Sequence, residues 1–160
     1  MEAIQPLQRV LDAPEYQESL TLISDDKAPG AARSFTRSRL KAWGLADLLD
    51  RTVLIVSELI TNAEQHGGAR GFTAAGGSSL SAKPEHIVLT LAAQGGFVAI
   101  EVEDNSVLPP IPRLPSSDSI GGRGLRLVTA ESDAWGFFVN EDGSGKRVFA
   151  FVSRQPPCPV

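Results

Sequence analysis

Apolar residues recur with a helical period along "TVLIVSELITNAEQH". At about 100° per residue, Val53, Val56, Leu59, Ile60 and Ala63 fall on one side. The opposite side carries Glu58, Asn62 and Gln65 beside Leu54 and Thr61, and Glu58, Asn62 and His66 repeat every four residues. This pattern predicts a helix from about Leu48 to His66, with Asp47 as its N-cap and Gly67-Gly68 as its stop. An earlier helix is predicted through "AARSFTRSRLKAW", where Ala32, Phe35, Leu40 and Trp43 share a face, Pro29 suits the first turn and Gly44 ends it.

Elsewhere the period shortens to two. "SLTLI" at residues 19–23 reads as a short strand, "HIVLTLAA" and "FVAIEVED" as a hairpin around Gly95-Gly96, and "AWGFFVN" and "KRVFAFV" as a second hairpin around "EDGSG". A short helix is expected in "GGRGLRLVTA". Taken in order, these elements predict an α+β fold, a two-layer α/β sandwich whose mixed, mainly antiparallel sheet carries its helices on one face. Residues 1–18 read as an N-terminal arm, 19–153 as one domain and 154–160 as a C-terminal tail. Within the domain, the Gly-, Ala- and Ser-rich residues 67–84 are expected to form a flexible loop, and the proline-rich residues 105–120 a lid.

Composition narrows the function classes. A chain of 160 residues that is 42% hydrophobic fits one domain with a real core. A net charge of −4, with no run of lysine or arginine, argues against nucleic acid as a direct partner. Cys158 alone can build neither a disulfide framework nor a thiolate metal site. There is no secretory pattern and no apolar run near the ~18 residues that a membrane span needs, so a cytoplasmic protein without membrane contact is expected.

Three places carry candidate chemistry, each with a bland alternative. The Glu58–Asn62–His66 stripe is either the solvated face of an amphipathic helix or the floor of a ligand site. Asp104 shares the apolar side of its strand with Val98, Ile100 and Val102; there it suits either the exocyclic amine of a flat ring or a turn with Asn105 and Ser106. In "GGRGL", the glycines of residues 121–124 allow close backbone approach, and a helix N-terminus favours phosphate, although hinge glycines read the same way. Neither GxxxxGK[ST] nor a GxGxxG opening a βαβ unit is present.

Together, "SELITNAEQHG", "VEDNS" and "GGRGLRLV" resemble the N, G1 and G2 boxes of the histidine-kinase-like ATPase superfamily. The likeness is greatest to the anti-sigma-factor serine/threonine kinases abundant in actinobacteria. The resemblance implies the Bergerat ATP-binding fold, with ATP and Mg2+ as cofactors. On it, Glu58 matches the catalytic glutamate that acts on or orients the attacking hydroxyl, and Asn62 the asparagine that ligates Mg2+. Asp104 matches the aspartate that contacts the adenine amino group. Gly122 and Gly124 match the glycines that wrap the phosphates, with Arg123 offsetting negative charge and Leu125 completing the box. His66 recurs in similar proteins, and a local hydrogen bond at the helix end suits it better than catalysis. Arg147 in "GKRVF" is placed where the family often has a nucleotide-facing threonine. The implied activity is transfer of the ATP γ-phosphoryl group to Ser or Thr of an anti-anti-sigma protein, with sequestration of a sigma factor. A homodimer is also suggested. The alternatives are a nucleotide-binding or partner-sequestering module without phosphotransfer, and an α+β domain that has lost nucleotide binding.

Overall fold

The computed structural model describes residues 14–66, 85–106 and 124–154. In them the chain forms β1 (Tyr16–Ile23), α1 (Ala28–Ala42), a 3-10 turn (Ala46–Leu48), α2 (Leu49–His66), β2 (His86–Gln94), β3 (Phe97–Asp104), α3 (Gly124–Glu131), β4 (Ala134–Val139) and β5 (Lys146–Ser153). The strands make one sheet in the order β1-β2-β3-β5-β4, and every pairing is antiparallel. The mixed sheet expected from the sequence is therefore antiparallel throughout among the described strands. The expected loop at 67–84, the part of the lid at 107–120, and Gly122 and Arg123 lie outside the described residues.

Local chemistry explains the helix ends. In α1, Pro29 occupies the first turn, while Ala28, Ala32, Thr36 and Leu40 form the buried row at four-residue spacing. Gly44 adopts φ 73°, and its N–H donates to the Lys41 carbonyl while Leu45 N–H reaches back to Leu40. That is a Schellman ending, and its apolar contact is supplied by the buried Leu40 and Leu45. Asp47 does not cap α2 as expected. It lies within the 3-10 turn that precedes the helix, and its carboxylate instead accepts from Arg154, with Nη2 to Oδ1 at 3.0 Å.

Strand β1 begins at Tyr16, three residues before the expected start. "YQE" has no apolar alternation to read, but the ladder to β2 extends to Ala93. Tyr16 also stacks on Trp43 at 5.3 Å between centroids, and Glu18 pairs with Arg39 at 2.8 Å. These contacts tie the start of the strand to the end of α1.

The helices cover one face of the sheet. Ile55, Val56, Leu59, Ile60 and Ala63 of α2 pack on Ile87, Leu89 and Leu91 of β2, Val98, Ile100 and Val102 of β3, and Val148, Ala150 and Val152 of β5. Val128 of α3 joins the same core. Burial of each such aliphatic side chain contributes about 1.5–3 kcal/mol, so this face dominates stability.

The outer face carries a smaller cluster of Ala92, Ala99 and Phe151, flanked by Phe97 and Phe149. Glu101 also lies on this face, opposite Phe149 and Thr90, and is only 7% exposed with Oε1 unpartnered. Burial pushes its carboxyl above the ordinary 4.5; Glu103 adds to the rise and Arg147 opposes it. A raised carboxyl pKa means that the folded state holds the proton more tightly. The stabilising contribution is therefore fully present below pH 4.5 and is lost as pH rises through the folded value. Glu101→Gln is expected to stabilise the fold at neutral pH and to flatten the stability slope above pH 4.5. Urea midpoints measured across that range check this; an unchanged slope would contradict it.

Candidate functional site

Strand alternation sends Val98, Ile100 and Val102 into the core, and Asp104 is the next residue on that side, 5% exposed. On the neighbouring strand the register sets Ala150 against Ile100, Val148 against Val102 and Lys146 against Asp104. Lys146 Nζ donates to Asp104 Oδ2 at 2.9 Å and to Oδ1 at 3.1 Å, and Ser106 N–H donates to Oδ1 at 2.8 Å. Burial pushes the Asp104 carboxyl up, while the lysine ammonium and the Ser106 N–H pull it back. Gly145 makes the approach possible. With φ +154°, a Cβ there would lie 1.9 Å from the Asp104 carbonyl oxygen, so a larger residue would drive the two strand ends apart.

Arg147, one residue on, faces the other side of the sheet. Its Nε meets Glu103 Oε2 at 3.4 Å, and Asn140 donates to the same oxygen at 3.1 Å. Arg147, which the sequence reading set in the threonine's place, thus faces away from Asp104, and the side chain beside Asp104 is Lys146. A signal was available, because Val148, Ala150 and Val152 point inward, and counting back in twos from Val148 reaches Lys146 rather than Arg147.

The position of the α2 stripe follows from its first turns. Arg51 donates to the Glu131 carbonyl at the end of α3 at 2.8 and 3.0 Å, and to the Ser153 carbonyl at 3.0 Å. Ser153 pairs with Phe97, so α2 starts at the end of the sheet remote from Asp104. From Arg51 the helix rises ~10 Å to Glu58 and ~16 Å to Asn62. The strand rises ~23 Å from Phe97 to Asp104. Because α2 packs along β2, β3 and β5, it carries Asn62 toward the Asp104–Lys146 end.

Arg51 and Glu58 are two helical turns apart and so share one stripe, on the side of α2 that meets α3. The last residue of α3, Glu131, is fixed beside Arg51. Both Glu58 and Asn62 are half-buried rather than fully solvated. His66 is the last residue of α2. Among the described residues, no group of three or more His, Cys, Asp or Glu could hold a metal, and no helix is long and apolar enough to cross a membrane.

Comparison with known proteins adds a family. The model for the histidine kinase-like ATPase domain matches residues 24–148. Among solved structures, the RsbU and RsbW domains of Rv1364c from Mycobacterium tuberculosis match with a TM-score of 0.57 at 20% identity, over 88% of this chain and 32% of that one. The histidine kinase domain of the blue-light activated histidine kinase from Erythrobacter litoralis EL346 matches with a TM-score of 0.44 at 20% identity, over 78% of this chain and 58% of that one. The chain thus spans about a third of the first and somewhat over half of the second. No curated protein matches the sequence. At this identity, the likeness to the Mycobacterium tuberculosis protein is one of fold: a sheet with helices on one face.

Proposed function

The chain belongs to the histidine kinase-like ATPase family, over residues 24–148, and we propose that it binds Mg-ATP between α2, the end of β3 and the segment that enters α3. The observation that carries this reading is Asp104, a carboxylate buried at the end of β3 on the face toward which the Glu58–Asn62 stripe runs. In this reading Asp104 reads the base. The backbones of Gly122, Gly124 and Leu125 close on the phosphates, and Arg123 offsets their charge.

Asn62 offers an amide oxygen to Mg2+, a hard ion commonly held by one or two protein groups together with phosphates. That habit fits described residues which contain no acidic or His/Cys cluster of three. The ion supplies charge neutralisation between the phosphates.

Transfer then rests on positioning. The hydroxyl oxygen of a serine or threonine bonds to the γ-phosphorus, the bond to the β–γ bridging oxygen breaks, ADP leaves, and Glu58 takes the hydroxyl proton. By resemblance the acceptor is an anti-anti-sigma protein and the sequestered partner a sigma factor. The working domain then starts with β1 at Tyr16 rather than at residue 19 and runs to Ser153, and we place it in the cytoplasm and as a homodimer.

A second reading, a partner-sequestering module without transfer, is favoured by one observation: Lys146 already engages both oxygens of the carboxylate proposed to read the base. Radiolabelled γ-phosphate transfer to an anti-anti-sigma protein separates the two readings, with Glu58→Gln as the control. Label on the acceptor that is lost in the variant supports transfer. Sequestration without label supports the second reading.

A further inference from the structure

The sheet face away from the helices is buried, although among the described residues no helix packs on it. Register sets its rows: Gln17, Ala92, Ala99, Phe151 and Ala134 lie side by side across the five strands, and Ser19, Thr90, Glu101, Phe149 and Gly136 form the next row. Ala92 and Ala99 are 0% exposed, Phe151 6%, Glu101 7% and Thr90 8%. The aromatic rings shield one another and the alanines, with Phe151 5.5 Å from Phe149 and 6.3 Å from Phe97 between centroids. They do not shield Glu101. The Phe149 ring leans over Gly136 on the edge strand, where a Cβ would stand 2.8 Å from it, and so turns away from β3. A carboxylate in the middle of an open sheet face reaches water, and this one does not.

Two segments outside the described residues join the sheet at the end where this cluster lies. Residues 1–13 lead through Pro14 into β1, where Glu15 N–H donates to the Ala93 carbonyl and Gly95 N–H to the Glu15 carboxylate, each at 2.8 Å. Residues 155–160 leave β5 there too, but "QPPCPV" holds three prolines and a single aliphatic side chain. Residues 67–84 and 107–123 each connect a strand with a helix of the other layer. By contrast, "MEAIQPLQRVLDA" carries Ile4, Leu7, Val10 and Leu11 with Arg9 among them, while Glu2 and Asp12 lie outside that run. The face offers Glu101 and Glu103 against Arg147, a net negative charge that Arg9 complements and that a second copy of the same face would double. Glu101 is about 10 Å from β1 across two strands and Phe149 about 14 Å, within reach of 13 residues even if coiled to ~20 Å as a helix.

We propose that residues 1–13 fold back on the sheet of their own chain, setting Leu7, Val10 and Leu11 on Phe97, Phe149 and Phe151 and Arg9 toward Glu101 and Glu103. The outer face is then closed within one chain, and the proposed homodimer uses another surface. This packing needs no nucleotide.

Nuclear Overhauser contacts in the full chain, with Leu and Val methyls and Phe rings labelled, test the packing. Contacts from Leu7, Val10 or Leu11 methyls to the Phe97, Phe149 or Phe151 rings are expected, and none of them should appear between chains in a sample that mixes two labelling schemes. Contacts found only between chains would give the face to a second copy and overturn the inference. Rings that touch residues 67–84, 107–123 or 155–160 in place of the arm, or none of these, overturn it as well. The double substitution Leu7→Asp with Leu11→Asp gives an independent reading: Tm is expected to fall by about 5 °C or more. A Tm within about 1 °C of the wild type contradicts the packing. The wild-type contacts decide even if the variant fails to fold.

Discussion

Asp104→Ala is expected to destabilise the fold by about 3–5 kcal/mol, because it leaves the Lys146 ammonium buried without its counter-charge. The ammonium is 2.9 Å from the carboxylate, and the two side chains are 6% and 3% exposed, so water cannot take over the lost contact. Loss of the acceptor for Ser106 N–H adds to the effect. Removing both charges together has a different outcome. Asp104→Leu with Lys146→Met replaces the pair by apolar groups of similar volume and is expected to recover most of the stability, while nucleotide binding stays lost. Denaturant midpoints of the single and double variants make the comparison. A single variant that unfolds at the wild-type midpoint would show that the pair contributes nothing.

Glu58→Gln is the second large effect. The substitution keeps the size and much of the hydrogen bonding of the side chain on its half-buried stripe but removes the base. It is expected to lower γ-phosphoryl transfer to an anti-anti-sigma protein by roughly 10²–10⁴-fold. Nucleotide affinity should change by less than about 3-fold, because the contacts proposed to hold ATP lie on other residues. Single-turnover transfer measured beside equilibrium binding separates these two quantities. Transfer at the wild-type rate in the variant would remove Glu58 from the chemistry.

The parts of this molecule that were legible in its sequence are those set by periodicity over many residues. The 3.6-residue period of α2 correctly gave Val53, Val56, Leu59, Ile60 and Ala63 as its buried side, and period two set Asp104 on the apolar side of β3. What escaped was decided by single contacts or by register. Asp47 has the chemistry of an N-cap, yet Arg154, distant in sequence, draws its carboxylate away from the helix. Tyr16 is held in β1 by stacking on Trp43, a partner that no local pattern announces. Lys146 and Arg147 are adjacent and both cationic, and only the register of β5 on β3 turns the first to Asp104 and the second to Glu103. The pairing of β3 with β5, which creates the Asp104–Lys146 contact, joins strands from two separate hairpins and is a product of the whole sheet.

The most direct test of the nucleotide site is thermal unfolding of the wild type and of Asn62→Ala, with and without Mg-ATP. Asn62 is half-buried and outside the core, so its variant should melt close to the wild type when ligand is absent. At ATP about 100-fold above its Kd, the wild type is expected to gain about 2.7 kcal/mol, or roughly 5–10 °C in Tm. Asn62→Ala should lose most of that gain. A wild-type Tm that does not move up to millimolar Mg-ATP would contradict the account and leave the Glu58–Asn62 stripe as an ordinary polar helix face.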